Sequence, residues 1–210
     1  MNKKEKENKE MIKEIFDKET EIVEVITDTI INFYQDKENN NKDEWNNLYD
    51  KIVSYMHISL IQTYKITMKK ISEIYDFISR KNTSKIKYKD IEQYTYTSDG
   101  LTLEKRILKH IKTAKSRDFT KANRDALISK EIRILDTETM HVNQKSIKAE
   151  MKKKKVEYVC LFPGGGCDRD CCNTFIEEWM PIDEIEDPPY HTNCKCFITY
   201  SDPEPDDEEE

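Results

Sequence analysis

The residues of this sequence best suited to chemistry are its six cysteines, which all lie between Cys160 and Cys196. Two groups stand out, about twenty residues apart: Cys167-x3-Cys171-Cys172 and His191-x2-Cys194-x-Cys196. Structural zinc sites are usually assembled from two such loops, since thiolate and imidazole are the ligands that Zn²⁺ prefers. In a reducing compartment, clustered cysteines favour a metal over disulfides. The pattern therefore predicts a structural zinc site.

The cluster holds more candidate ligands than the four that a tetrahedral Zn²⁺ needs. The candidates are Cys167, Cys171, Cys172, His191, Cys194 and Cys196. Adjacent side chains diverge along an extended chain, so Cys171 and Cys172 are not expected to bind the same ion together. The preferred set is Cys167, one of that adjacent pair, His191 and Cys196. Coordination by this set would replace the apolar core that so short a segment lacks.

A catalytic use of the same residues is the alternative. A catalytic zinc keeps one position open and has a carboxylate nearby, for which Glu177, Glu178 and Asp183–Asp187 are candidates. However, no His-Glu-x-x-His helix and no zinc-deaminase pattern is present. Gly164–Gly166 lacks the Lys-Ser/Thr of a phosphate-binding loop. A thiolate among five other cysteines is more often a ligand than a nucleophile, so we interpret the cluster as structural.

Helices are the elements expected to position this cluster. Apolar residues recur at helical spacing over Met11–Tyr34 and again from Trp45 to about Arg80. The polar run Lys37–Asp43 separates the two stretches, which predicts an antiparallel helical hairpin. Residues 81–100 lose the periodicity and are interpreted as a connecting segment with one short helix.

Three further helical stretches follow. Thr102 is a plausible N-cap for a third helix, which the polar residues Ser116–Asp118 end. Helical patterns resume over Thr120–Ile134 and again over Thr137–Lys154. These patterns predict two separate helices in that part of the chain.

The C-terminal part has a different composition. Val156–Phe162 alternates and is rich in β-branched and aromatic residues, which predicts a strand, and Cys160 within it is interpreted as a small buried residue. The predicted fold class is mainly α: an N-terminal helical hairpin and further helices, with a small C-terminal zinc-stapled α+β unit. The predicted divisions are residues 1–100 (hairpin and connector), 101–155 (basic helical region), 156–201 (cysteine-rich zinc-binding unit) and 202–210 (acidic tail).

The charge distribution is uneven. The formal net charge is −7, but residues 202–210 carry seven acidic groups and no basic one. Residues 101–155 hold 16 Lys and Arg against 7 Asp and Glu. This basic region ends in Lys152, Lys153, Lys154 and Lys155, which are candidates for weak, salt-sensitive, sequence-independent contact with double-stranded DNA. The acidic tail is typical of a solvated, disordered segment; competition with DNA for the basic face and docking of a basic partner are its alternative roles.

No apolar run approaches the roughly 20 residues that a membrane helix requires, so no membrane span is predicted. The N-terminal sequence MNKKEKENKE lacks the apolar core of a secretory signal. We therefore expect the chain to stay in a reducing cytoplasm, which agrees with metal-binding rather than disulfide-bonded cysteines.

Two stretches resemble a known family. PPYHTNCKC (Pro188–Cys196) resembles the Pro-Pro-x-His-x-x-Cys-Arg-Cys signature that ends the minor head protein domain of tailed phages, the phage Mu F-like head morphogenesis family. Upstream, Ile134–Phe162 resembles the stretch of that family in which an Arg-Thr-Glu helix precedes a short strand and the first cysteine loop. Glu138 would be the glutamate of that helix, but Asp136 stands where the family usually has arginine. The loop CDRDCC also differs from the usual Cys-x-x-Cys.

The resemblance covers about residues 120–200. It implies a minor capsid protein of a virion, present in few copies, bound to portal and capsid proteins, and assembled in the cytoplasm of a bacterial host. Packaged or ejected DNA is a further contact that it implies. We expect a structural role and no enzymatic activity. The alternatives are a small zinc-dependent enzyme or phage effector acting on nucleic acid or host protein, and a stand-alone DNA-binding accessory protein.

Overall fold

The structure is a computed structural model that describes residues 3–36, 41–96, 100–162, 179–185, 188 and 196–200. The described part is mainly helical with a small sheet near the C-terminus, which confirms the coarse prediction. Its elements are α1 (Lys3–Gln35), α2 (Lys42–Ile74), α3 (Tyr88–Ile91), a 3₁₀ turn (Glu92–Tyr94), α4 (Leu103–Lys115), α5 (Lys121–Lys153), β1 (Tyr158–Phe162), β2 (Trp179–Pro181) and β3 (Phe197–Thr199). Among these helices, none has the length and apolar character needed to cross a membrane.

Helices α1 and α2 form the predicted antiparallel hairpin. Near the connection, the ring centroids of Phe33 and Trp45 are 4.7 Å apart, and farther along the pair Lys70 Nζ lies 3.3 Å from Glu14 Oε2. The expectation that α2 continues to Arg80 is wrong, because the chain leaves the helix at Tyr75 with φ −119° and ψ 106°. Tyr75 and Ile78 continue the helical spacing past this point. They lie in a turn, and both are buried there.

An aromatic cluster holds the hairpin connection against the loop between α4 and α5. Phe119 of that loop stacks on Tyr34 with ring centroids 4.7 Å apart, and it also contacts Phe33 and Trp45. Such offset and edge contacts are favoured by the ring quadrupoles and bury large apolar surfaces. The α4–α5 loop is thereby fixed to the N-terminal hairpin.

Helix α5 is the central element of the bundle and packs against α1, α2, α4 and β3. It is continuous from Lys121 to Lys153, so the predicted interruption between Ile134 and Thr137 is wrong. Between these residues Leu135 is buried and Asp136 is half-buried within the helix, so the polar residue at this point does not end it. Its N-terminus is capped by Thr120, whose hydroxyl accepts a hydrogen bond from the Asn123 amide at 3.2 Å.

The sheet has the strand order β2-β1-β3, and both pairings are antiparallel. Val159 and Leu161 of β1, together with Ile198 of β3, enter the same apolar core as the helices. Cys160 is buried in β1, as the sequence pattern predicts. Within the described residues, the sheet is therefore a layer on the helical bundle and shares its core.

A buried hydrogen-bond cluster joins the sheet to the hairpin. The Tyr75 hydroxyl lies 2.7 Å from Thr199 Oγ1 on β3, and Asn8 of α1 donates to the same hydroxyl at 3.1 Å. The Tyr200 amide donates to it at 3.4 Å. Burial raises the pKa of Tyr75, so the phenol stays protonated at neutral pH. One hydroxyl thus connects three segments that are far apart in the sequence.

Replacing Tyr75 with phenylalanine is expected to destabilise the protein by about 1–3 kcal/mol, because Asn8 and Thr199 would lose a buried hydrogen-bond partner. Urea unfolding followed by circular dichroism measures this loss. Tyr158→Phe is the matched control, since Tyr158 is 53% exposed and removal of its hydroxyl should change stability by less than about 0.5 kcal/mol. Equal effects of the two variants would show that the cluster does not stabilise the fold.

Candidate functional site

The predicted zinc ligands lie largely outside the described residues. Cys196 is the one candidate that the structure describes, and it is fully buried. The remaining candidates, Cys167, Cys171, Cys172, His191 and Cys194, fall in segments outside the description. In the described part of the chain, no group of three or more His, Cys, Asp or Glu side chains is placed to hold a metal ion. The predicted ligand set therefore stays a prediction.

The sheet nevertheless determines where the two cysteine-bearing segments join the fold. Segment 163–178 follows Phe162 at the end of β1 and rejoins the sheet at Trp179, whose Cα partner is Cys160. The second segment ends at Cys196, directly before Phe197, whose Cα partner is Phe162. Antiparallel partners lie about 4.5–5.5 Å apart, so both segments are attached at the same end of the sheet. This arrangement fits one ion shared by the two segments.

Backbone hydrogen bonds fix the chain at the basic C-terminal end of α5. The Val156 amide donates to the Met151 carbonyl at 3.1 Å, and the Lys155 amide donates to the Lys152 carbonyl at 3.0 Å. This is the Schellman arrangement that ends many helices, and it places Lys155 in the left-handed region with φ 58°. Glycine usually occupies that position because a side chain there is unfavourable. The chain therefore carries a strained lysine directly after its central helix.

Replacing Lys155 with glycine is expected to stabilise the protein by about 1 kcal/mol, because glycine adopts a left-handed conformation without the steric cost of a Cβ. Thermal unfolding measures the change. Lys154→Gly is the matched control: its φ of −91° suits any residue, so glycine there should destabilise by about 0.5–1 kcal/mol. A destabilisation at both positions would contradict the strain at Lys155.

The structure divides the four predicted DNA-binding lysines into two pairs. Lys152 forms an ion pair with Asp183, and Lys153 Nζ lies 2.9 Å from Glu150 Oε1. The hydrogen bond from Lys152 holds the pKa of the Asp183 carboxyl below its usual value. Lys154 and Lys155 are exposed and form no ion pair with any residue that the structure describes. The uncompensated positive charge of this cluster thus lies at Lys154 and Lys155.

These two lysines line an aromatic groove of about 560 Å³. Its aromatic residues are Phe77, Tyr158, Trp179 and Tyr200. The Phe77 and Tyr200 rings meet edge to face with centroids 5.3 Å apart, while Tyr158 and Trp179 remain 53% and 46% exposed. Tyr158 lies two positions before Cys160, the Cα partner of Trp179, so the two exposed rings stand on the same face of the sheet. We refer to this site as the aromatic groove.

Sequence reasoning did not find the aromatic groove. It is assembled from four segments: the turn after α2, the end of α5 with the start of β1, β2, and the residue after β3. No local spacing relates Phe77 to Tyr200, since the pairing depends on how the sheet packs against the hairpin. The run Lys152–Lys155, whose last two residues line the groove, was what stood out in the sequence. Its spacing gave no indication of the aromatic residues that lie beside it.

Two pairs of charged side chains join α4 to α5. Arg106 forms an ion pair with the fully buried Glu138, which also accepts the Tyr96 amide at 2.8 Å. One turn farther along α4, His110 Nδ1 lies 2.9 Å from Oε1 of the fully buried Glu131. Burial raises the pKa of both glutamates despite these partners. Glu138, the residue that the resemblance singles out, is therefore placed as a structural contact of the bundle.

Replacing Glu131 with glutamine is expected to raise stability relative to the wild type increasingly as pH rises from 4 towards neutrality. The folded state holds a proton on Glu131 up to a higher pH than the unfolded chain does, because burial raises the pKa of this carboxyl. The wild type therefore loses stability as pH rises through that window, and glutamine removes the titration. Urea unfolding at a series of pH values measures the difference.

Glu104→Gln is the matched control with the opposite sign. Burial acts to raise the pKa of Glu104, but hydrogen bonds to its own amide, Thr102 and His57 outweigh it and lower the pKa. The ionised carboxylate therefore stabilises the fold above the unfolded pKa, and this contribution disappears as pH falls through the lower folded value. Glu104→Gln should cost stability at neutral pH and less in acid. Parallel pH profiles for the two variants would contradict this assignment.

Comparison with known proteins does not place the chain in a family. No family model matches the sequence, and no curated protein and no solved structure matches it. The resemblance of Pro188–Cys196 and Ile134–Phe162 to phage head proteins therefore stays a prediction. What the chain does is inferred from its own residues and their arrangement.

Proposed function

We propose that the protein is a minor capsid protein of a tailed phage, a structural component of the portal and capsid region that is assembled in the bacterial cytoplasm. The observation that carries the proposal is the Pro188–Cys196 signature, with its diproline, histidine and two cysteines at fixed spacing. This signature runs directly into β3, whose three residues are all buried. The element with the most specific sequence is thus attached to the core of the helical bundle.

A structural Zn²⁺ is part of the proposal. Four of the six candidates, with Cys196 among them, would hold the ion at the end of the sheet where both cysteine-bearing segments are attached. Coordination of this kind contributes on the order of 10 kcal/mol to folding in small zinc modules. The metal would fix two loop-rich segments to a sheet of only three short strands.

The described histidines support a structural role over catalysis. His57 stacks on an aromatic ring and lies 2.9 Å from Glu104, and His110 contacts the buried Glu131. His141 is buried and stacks on the Tyr96 ring. Among the described histidines, His141 is therefore held in the packing of the bundle, while His57 and His110, whose side chains are 25% and 24% exposed, are held by carboxylates.

Contact with double-stranded DNA, the secondary part of the proposal, falls on Lys154 and Lys155. Lys152 and Lys153 already have carboxylate partners, whereas these two lysines have none among the described residues. Two phosphate contacts give a weak interaction whose affinity falls with added salt and does not depend on sequence. Such contact suits a protein that lies close to packaged DNA without reading it.

Deletion of the gene from the phage, followed by complementation in the host, tests the proposal. Without the protein, electron microscopy of lysates should show few DNA-filled heads, and wild-type protein supplied in trans should restore them. His191→Ala and Cys196→Ser should fail to complement because the cysteine-bearing segments no longer fold, as limited proteolysis would show. Normal numbers of DNA-filled heads without the gene would overturn the proposal. Folded but inactive variants would favour the enzyme or effector alternative.

A further inference from the structure

We propose that the C-terminal segment 201–210, which comprises Ser201 and the acidic tail, binds back into the aromatic groove of its own chain. This goes beyond the capsid role and does not depend on it. This segment directly follows Tyr200, which lines the groove, so its point of attachment is at the site. A covalently attached ligand acts at a high effective concentration when its link is short. Because it is attached next to the groove, the tail is favoured as the ligand of the groove.

Charge complementarity is the second argument. The tail carries seven acidic residues and no basic one. The groove presents Lys154 and Lys155, which have no carboxylate partner among the described residues, against one acidic lining residue, Glu157. The tail therefore meets an excess of positive charge where it leaves the sheet.

The proline content of the tail suits binding to the aromatic residues of the groove. Pro203 and Pro205 alternate with Asp202 and Glu204 in its first part. Proline-rich segments favour the extended polyproline II conformation, and grooves lined by aromatic rings bind that conformation in several peptide-binding domains. At about 3.1 Å per residue, residues 201–205 extend about 15 Å from Tyr200. Proline rings on the exposed faces of Tyr158 and Trp179, with carboxylates towards the lysines, would use both features of the groove.

Nucleic acid is the competing occupant of a groove with aromatic and basic residues. Bases stack on exposed rings and phosphates pair with lysines in many single-strand-binding sites. Here, however, seven carboxylates are tethered next to the groove and would repel a phosphate backbone. The tail is therefore the favoured occupant, and DNA contacts Lys154 and Lys155 only where it displaces the tail.

Tryptophan fluorescence of the full-length protein tests the proposal. The chain has two tryptophans: Trp45 is 2% exposed within the aromatic cluster, whereas Trp179 lies in the groove. Quenching by acrylamide therefore reports mainly on Trp179, and a Trp179→Phe variant confirms the assignment. Acrylamide is uncharged, so the tail cannot repel it and any protection reflects coverage of the ring.

The decisive variant changes the seven acidic tail residues to their amides, from Asp202→Asn through Glu210→Gln. Loss of the ion pairs should release the tail and increase the quenching constant of Trp179 by about two-fold or more. The double variant Lys154→Gln, Lys155→Gln should give the same increase. Lys109→Gln, Lys112→Gln is the matched control, because it removes two exposed lysines of α4 that do not line the groove. That control should leave quenching unchanged.

Two results would overturn the proposal. Equal quenching in the wild type and the neutral-tail variant would show that the tail does not cover the groove. Protection that disappears when the protein is diluted, with a matching loss of dimer in analytical ultracentrifugation, would assign the groove to the tail of a second copy. Protection that is independent of protein concentration and decreases with added salt supports the tail of the same chain.

Discussion

A Cys196→Ser variant is expected to lose its bound zinc and to unfold at a much lower temperature than the wild type. Cys196 is fully buried directly before β3, at the end of the sheet where both cysteine-bearing segments are attached. A serine hydroxyl is a poor zinc ligand, so the ion would be left with three protein ligands. Structural zinc contributes on the order of 10 kcal/mol in small modules, a value larger than the effect of most single substitutions. Metal analysis of the purified protein and thermal unfolding measure the two effects.

Cys160→Ser is the matched control for this variant. Both cysteines are buried in the same sheet, and both substitutions replace a thiol with a hydroxyl. Cys160 is interpreted as a packing residue, so its replacement should cost about 1–3 kcal/mol and leave zinc at about one ion per chain. Retention of zinc by Cys196→Ser would remove Cys196 from the ligand set. Loss of zinc from Cys160→Ser would add Cys160 to it.

An Arg106→Ala variant is expected to be less stable than the wild type by about 3–5 kcal/mol, because it leaves the Glu138 carboxylate buried without its cation. The Arg106 and Glu138 side chains are 12% and 0% exposed, so the lost ion pair lies in a poorly solvated part of the bundle. Burial already raises the pKa of Glu138, and Arg106 opposes that rise. Without Arg106 the pKa rises further, so the stability of the variant should fall more steeply as pH increases.

Two comparisons isolate the effect of the Arg106–Glu138 pair. Arg133→Ala removes an exposed arginine of α5 whose side chain donates to the Ser129 carbonyl and to no other described residue, and it should change stability by less than about 0.5 kcal/mol. The double variant Arg106→Met, Glu138→Leu removes both charges and should recover most of the loss, because buried ion pairs are often replaceable by apolar residues. An Arg106→Ala variant as stable as Arg133→Ala would contradict a stabilising role for the pair.

Local sequence pattern predicted the helices well and their ends less well. The apolar periodicity that identified α1 and α2 depends only on spacing along one helix face. It continued past Ile74 because Tyr75 and Ile78 are buried by tertiary contacts, which spacing alone does not distinguish from helical burial. In α5 the reverse occurred: the pattern predicted two helices, Thr120–Ile134 and Thr137–Lys154, where one helix continues through Leu135 and Asp136.

Contacts between residues far apart in the chain could not be predicted from the sequence. The chain contains 35 Lys and Arg and 42 Asp and Glu, so composition does not indicate that Arg106 pairs with Glu138 rather than with another acid. The aromatic groove likewise depends on Phe77 and Tyr200, which meet because Tyr75, in the turn after α2, is hydrogen-bonded to Thr199 of β3. The lysine run was visible in the sequence, but the division between paired Lys152 and exposed Lys155 required the position of Asp183.

The central claim is that this chain is a minor structural component of a phage particle, and its copy number tests that claim most directly. Quantitative mass spectrometry of purified particles would measure the amount of this protein relative to the major capsid protein. We predict a low, fixed ratio of the same order as that of the portal protein, unchanged after a high-salt wash. Complete absence from mature particles would contradict the claim and leave a transient assembly factor or an intracellular effector.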